Sequence, residues 1–453
     1  MAGKLVFSHD KEFYGTFFRM MILLVLQNIV TYTLNVLDNV MLGGYSQTAL
    51  SAAAAVNQIQ YVLQQFTVMG LGEGVVILGG QFWGKRDIGM IRKVFGSALV
   101  CGLTAGALLT IAAFCIPDRM VGLFTNDPEV IREGVSYLSI IRYTYLIFIA
   151  LQLMLAMLRG MQIVRIAFVV SCVGLAVNST INYCLIYGKF GFPEMGIHGA
   201  AIGTLIATSA EFVIVLAEIL RKHIFSAGEL LKASRIHRDV LQKYLRVSIP
   251  CVVSAVIFSS AVAVQTAIFG HLSTNALAAS GVAGTFFQYT KMIPIGAASA
   301  SCAMISQTVG KGERDRLPGM VHSLQVIYLL VGLLTCCVLL LLRTPVLSFY
   351  TLTQTAHDYA VTQMTIQAVI SIGMSFQMPE QTGIIRGGGD TRYSMISDII
   401  YSWGVVVPLS LIVAFVFHAP FGVVVLCLNI DQLLKCITVT HKVRSWTWIR
   451  KLT

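Results

Sequence analysis

Twelve apolar blocks dominate the chain, each about as long as a helix that crosses a bilayer. They run over roughly 20–42, 50–80, 94–116, 136–158, 166–187, 197–220, 246–270, 276–309, 320–342, 359–385, 395–418 and 421–440. A spanning helix needs about 20 apolar residues, because it rises about 1.5 Å per residue across roughly 30 Å of hydrocarbon. Blocks of that length, without the period-2 alternation of a lipid-facing strand, read as helices that satisfy their own backbone hydrogen bonds. Composition agrees: with 56% hydrophobic and 12% charged residues and a mean hydropathy of +0.77, little is left for a soluble domain. The expected fold class is all-α and polytopic, with twelve transmembrane helices. The opening "MAGKLVFSHDKEFYG" is polar and the first block is too long for an h-region, so no cleavable signal peptide is expected.

The net charge of +11 would suit a nucleic-acid partner, but its placement argues for orientation instead. If the N-terminus is cytoplasmic, the inside segments hold twenty-five of the 32 basic residues. Seven of these fall in 221–246, and the outside loops hold only Arg119, Arg132, Lys189 and Arg343. By the positive-inside rule both termini are expected in the cytoplasm. The ten cysteines all lie in the blocks or at their edges, with no CxxC or Cys/His spacing, and read as small packing residues.

Three signatures recur in register. "ALSAA" at Ala49 returns as "ALAAS" at Ala276, "QFWGK" at Gln81 as "QTVGK" at Gln307, and "LRG" with Arg159 as "IRG" with Arg386. Each pair occupies the same place in the order of helices, which indicates two homologous six-helix bundles. The expected organisation is a tail at 1–19, a first bundle at 20–220, a cytoplasmic linker at 221–245, a second bundle at 246–440 and a tail at 441–453. The linker reads in part as a surface helix. Six helices is an even number, so both halves enter from the same side, a parallel repeat whose axis is expected along the membrane normal.

The stretches "LDNVMLGGYSQTALSAAA", "GGQFWGKRD", "NSTINYCLIYGKFGFPEMGIHGAAIGT" and "IIRGGGDTRYSMISD" resemble those of bacterial multidrug and toxic compound extrusion (MATE) transporters, and the resemblance covers essentially the whole chain. It implies a secondary active antiporter of the bacterial inner membrane. Such a protein exports cationic or amphipathic drugs and toxins in exchange for protons or sodium by alternating access. The alternative within transport is a flippase for a lipid-linked oligosaccharide. That cavity would call for several cationic side chains, whereas Lys291 is the one base near mid-span without an i, i+4 acid. An intramembrane enzyme lacks HExxH, GxSxG and facing His/Cys pairs. The expectation is therefore no enzyme, no cofactor beyond H+ or Na+ as coupling ion, and no nucleic acid. The partners are small cationic or amphipathic molecules and the lipid bilayer, and the chain is expected to act as a monomer.

Polar groups inside the blocks are the candidate site. An ionised Asp at a helix centre costs about 2.5–3.5 kcal/mol on insertion scales. Asp38 sits about 6 Å below the expected outer end of the first helix, set by Gly43 and Gly44. It either snorkels to the interface or belongs to a site. Asn178 and Asn182, spaced i, i+4, share one helix face, and Thr204 lies at a comparable depth. Together these four make a candidate ion-coupling site, with sodium near Asp38 left open. In the family branch called DinF-like, the resemblance carries coupling roles to Asp38, Asn178 and Thr204. Asn182 departs from that branch, which commonly has Asp there.

Glu73, Glu211, Lys291 and Glu380 are further candidates for substrate or ion contact, or for helix pairing; Lys291 could neutralise Glu380. Arg142 reads as snorkelling outward, and Glu218 as a surface partner of Arg221 and Lys222. Asp431 and Lys435 are an i, i+4 pair, and Asp398 has Arg386 or Arg392 within reach. Methionines such as Met292, Met304 and Met374 supply adaptable apolar walls. The sequon "NST" at Asn178 falls inside a span and is a false match.

Overall fold

The computed structural model describes residues 7–225, 237–350 and 352–453. The first six residues and the centre of the expected linker, with Lys232 and Arg235, lie outside the described residues. Among the described residues there is no strand, and twelve long helices account for most of the chain. They are α1 (Lys11–Tyr45), α2 (Gln47–Gly84), α3 (Ile88–Cys115), α4 (Pro128–Ile141 continuing as Thr144–Gly160), α5 (Arg165–Ile186) and α6 (Ile197–Arg221). The second six are α7 (Arg238–Leu272), α8 (Thr274–Lys311), α9 (Arg314–Leu347), α10 (Gln354–Met378 continuing as Pro379–Ile385), α11 (Thr391–Val416) and α12 (Phe421–Arg444). The two parts of α4 meet at a bend of 54°. α10 carries a polar series, with Gln363, Gln367, Ser371, Ser375 and Gln377 all buried along it.

The duplication is visible helix by helix. α1 and α7 are both 35 residues long, and α2 and α8 are both 38. Their ends are set by equivalent chemistry. Ser46 and Ser273 sit in extended conformation ahead of α2 and α8, and each hydroxyl accepts from the N–H three residues on, at Ala49 and Ala276. Asp127 and Thr353 cap α4 and α10, the Asp127 carboxylate accepting from Glu129 N–H and the Thr353 hydroxyl from Ala356 N–H, which satisfies N–H groups that the helix itself cannot.

Hydropathy alone sets the starts of α1 and α7 too late. The expected tail at 1–19 is helical from Lys11, where Phe13, Phe17 and Met20 form a buried i, i+4, i+7 stripe among exposed Lys11, Glu12 and Arg19. Val240, Tyr244 and Val247 repeat that stripe at the start of α7, whose first turns, from Arg238, fall inside the expected linker at 221–245. An amphipathic extension of a spanning helix is polar on average, so average hydropathy misses it.

The chain packs as two compact units. One holds Leu26–Gly79 and Arg86–Ser248; the other holds Gly80–Lys85, Ile249–Thr453 and the chain up to Val25. The first helix of each repeat therefore changes unit part-way. The start of α1 is held in the second unit by Ser323, whose hydroxyl accepts from Ser8 N–H at 3.1 Å and from the Tyr14 hydroxyl at 2.8 Å. The start of α7 is held in the first unit, where the Tyr244 hydroxyl donates to the Leu71 carbonyl at 2.9 Å.

Candidate functional site

In the first unit, α1, α5 and α6 bring all four residues of the expected ion-coupling site into one chain of hydrogen bonds. α1 runs on through Gly43 and Gly44 to Tyr45, one turn longer than expected, and Asp38 is half-buried on it. The Asn182 amide donates to Asp38 Oδ1 at 2.7 Å and to Asn178 Oδ1 at 3.0 Å. The Asn178 amide donates in turn to Thr204 Oγ1 at 3.3 Å, and the Thr204 hydroxyl donates to the Ala200 carbonyl at 3.1 Å. Asn178 and Asn182 are almost fully buried, so these bonds form away from water.

Helix α6 makes room for them. A Cβ on Gly203 would lie 2.0 Å from Asn182 Oδ1, so only glycine lets the amide stand where it does. Nearby, the Tyr187 hydroxyl donates to the Met41 carbonyl at 2.7 Å and ties the outer end of α1 to that of α5. Tyr137 of α4, also buried, places its hydroxyl beside Thr204 and Asp38. Its role is not marked in the sequence, since one tyrosine in an apolar block has no spacing to distinguish it. Asn182 Oδ1 is buried without a hydrogen-bond donor.

The remaining candidates separate. Glu73, the first residue after the π-helical turn Gln65–Gly72 of α2, lies 3.7 Å from Arg159 on α4 and pairs those two helices. Glu211 of α6 rests its carboxylate on Gly174 of α5. In the second unit Glu380 is fully buried and accepts from the Gln325 amide and, at 3.0 Å, from the Thr440 hydroxyl. The expected neutralisation of Glu380 by Lys291 is not formed. α9 and α12 reach Glu380, while Lys291 on α8 points its Nζ toward the ring of Phe258 on α7, 5.1 Å from the centroid.

Charges elsewhere in the second unit balance locally. Asp398 takes Lys435 at 3.1 Å, Arg386 at 3.4 Å and the Gln381 amide at 2.8 Å, and Lys435 also reaches Asp431 at 3.5 Å. Two acids and two bases thus share one network, and neither base is left to bind an anionic headgroup. In the first unit, Arg142 lies in the bend of α4 with its guanidinium 3.6 Å from the centre of the Phe114 ring, and Glu218 pairs with Arg221 and Lys222.

The arrangement is one of buried acids and amides bonded across packed helices. The MatE family model matches residues 24–184 and again 250–412, one copy in each repeat. The probable multidrug resistance protein NorM of Xylella fastidiosa is 26% identical over 402 residues, covering 86% of this chain and 82% of its own. The probable multidrug resistance protein YoeA of Bacillus subtilis is 24% identical over 370 residues, covering 81% and 79%. A crystal structure of a mutant of the Vibrio cholerae MATE transporter VcmN superposes with a TM-score of 0.85 over 97% of this chain and 98% of its own; at 16% identity it speaks for the fold. The chain belongs to the MatE family, the multidrug and toxic compound extrusion (MATE) efflux transporters.

Proposed function

We propose that this protein is a proton-coupled antiporter that exports cationic or amphipathic compounds by alternating access, with Asp38 as the coupling carboxylate. The observation that carries the reading is the bonded series Asp38–Asn182–Asn178–Thr204, a carboxylate held by amides rather than by a counter-ion. With Asp38 ionised, this cluster has more acceptors than donors, and Asn182 Oδ1 is the acceptor left over. A proton on Asp38 supplies the missing donor and removes the charge. The cluster then repacks and loosens its hold on a cationic substrate while the outer side is open. Loss of the proton to the inside resets it, and each inward charge draws about 2.3 kcal/mol per 100 mV from the membrane potential.

Sodium fits the cluster less well: a small hard cation wants a shell of oxygens, and Asn178 Oδ1 and the Asp38 oxygen bound by Asn182 already accept hydrogen bonds. In this reading the protein sits in the bacterial inner membrane with both termini cytoplasmic, acts as a monomer and is not an enzyme. The test is efflux of a fluorescent organic cation from proteoliposomes, with the proton and the sodium gradient imposed separately. The proton gradient alone should drive efflux. Efflux driven only by sodium would move the coupling ion from H+ to Na+.

A further inference from the structure

Helices α5 and α6 lie antiparallel, and three close approaches fix their register. A Cβ on Gly199 would meet the Leu185 carbonyl carbon at 2.7 Å, one on Gly203 would meet Asn182 Oδ1 at 2.0 Å, and one on Gly174 would meet Glu211 Oε1 at 1.8 Å. Successive levels of this seam are one helical turn apart, about 6 Å. At the level of Asn182 the polar group comes from α5 and the glycine from α6. At the level of Glu211 the roles reverse: the polar group comes from α6, and Gly174 gives it room. Asn178, with its bond to Thr204, occupies the level between.

Glu211 therefore stands one turn inward of Asn178 on the seam that carries the Asp38 cluster. Thr204, Thr208 and Glu211 follow at i, i+4, i+7 on one side of α6. The exposed apolar residues Ile206 and Val213 lie roughly 140–160° around the helix from Glu211, at 3.6 residues per turn. The carboxylate is thus turned away from the face offered to lipid. Among the described residues Glu211 makes no hydrogen bond or ion pair. The elements packed on α6 are α5 and both parts of α4; Tyr137 and Tyr145 of α4 lie together with Asp38 of α1 at the outer level, while Arg142 turns its guanidinium away to Phe114 and the Ala113 carbonyl of α3. No charge is on hand to balance Glu211.

A carboxyl without a counter-charge, one turn from a hydrogen-bonded amide series with an unsatisfied acceptor, is placed to exchange protons with that series. We propose that Glu211 is a second proton-binding carboxylate, the inner station of a path that begins at Asp38. This rests on the coupling role given to Asp38. The step moves one proton: it leaves the Asp38 carboxylic acid, passes through water and the Thr204 and Thr208 hydroxyls along the seam, and ends on the Glu211 carboxylate. Asp38 is left ionised and Glu211 neutral, with the proton next released to the inside.

The experiment has two arms on the full-length protein in proteoliposomes. In the first, dicyclohexylcarbodiimide, which reacts with protonated carboxyls in apolar surroundings, is applied across a pH series and the labelled residue is read by mass spectrometry. Glu211 should be labelled in the wild type and in Asp38→Asn, with labelling lost as pH rises. No label on Glu211 at any pH, or protection by sodium at constant pH, overturns the proposal. The second arm measures how efflux of ethidium depends on external proton concentration at fixed membrane potential. Because the one-proton relay loses its inner acceptor, efflux in Glu211→Gln should lose its dependence on external proton concentration, with Glu211→Asp restoring it. A wild-type rate and proton dependence in Glu211→Gln overturns the proposal. Unimpaired gradient-driven efflux in Asp38→Asn alone would remove the coupling reading, and the labelling arm would still show whether Glu211 takes a proton.

Discussion

Asn182 shows how one side chain can organise a membrane-buried site. Its amide bonds both Asp38 and Asn178, and its carbonyl oxygen lies against the bare backbone of Gly203. Gly203→Ala would drive a methyl into that oxygen and turn the amide away from Asp38. Overpacking of this kind costs about 1–3 kcal/mol, so the variant should insert and purify while gradient-driven efflux drops about tenfold or more. Efflux assays at matched protein levels check it, and wild-type efflux would show that the Asp38–Asn182 bond is not needed. Asp38, Asn178, Asn182 and Thr204 were legible in the sequence because polar residues inside apolar blocks stand out, and the i, i+4 spacing of the asparagines put them on one face. Tyr137, Gln325 and Thr440 were not legible. They act on residues from other helices, and no spacing along the chain encodes which helix lies next to which. The failed pairing of Lys291 with Glu380 has the same origin: opposite charges in one half of the chain do not fix the direction in which each side chain points.

Among the helices, their number and order were readable from apolar length, but several of their ends were not. The starts of α1 and α7 depend on stripes of three buried residues, Phe13, Phe17 and Met20 and then Val240, Tyr244 and Val247, which a hydropathy average dilutes with charge. Capping gives a direct test of the repeat at this scale. Removing the hydroxyl in Ser46→Ala or Ser273→Ala leaves an N–H at the head of α2 or α8 without its acceptor. Each change should destabilise the protein by about 1 kcal/mol, visible as a small fall in melting temperature in detergent. The network that joins α10, α11 and α12 should respond far more strongly. Asp398→Asn takes from buried Arg386 and Lys435 the carboxylate they share, a loss of about 3–5 kcal/mol. If Asp398→Asn melts within a degree or two of the wild type, water or another group must be solvating those bases.

For the whole molecule, the repeat dictates the layout: two six-helix halves of like length, like caps and like family match, each with a first helix that begins in one compact unit and continues in the other. That exchange could not be read from the sequence, because it depends on tertiary packing of amphipathic ends and not on apolar length. Orientation follows from charge: a cysteine at Lys222 should react with an impermeant maleimide only in inside-out vesicles, and one at Lys189 only in right-side-out cells. The reverse pattern would invert the topology and turn the proposed proton path around. Coupling of the proton gradient to substrate movement through Asp38 is read out by comparing two transport modes in Asp38→Asn. Asparagine keeps the shape of the protonated acid, so substrate-for-substrate exchange down a concentration gradient should continue at near wild-type rate while proton-driven uphill efflux is abolished. Uphill efflux at the wild-type rate in a well-expressed Asp38→Asn protein would contradict the account and transfer the coupling role to Glu73 or Glu380.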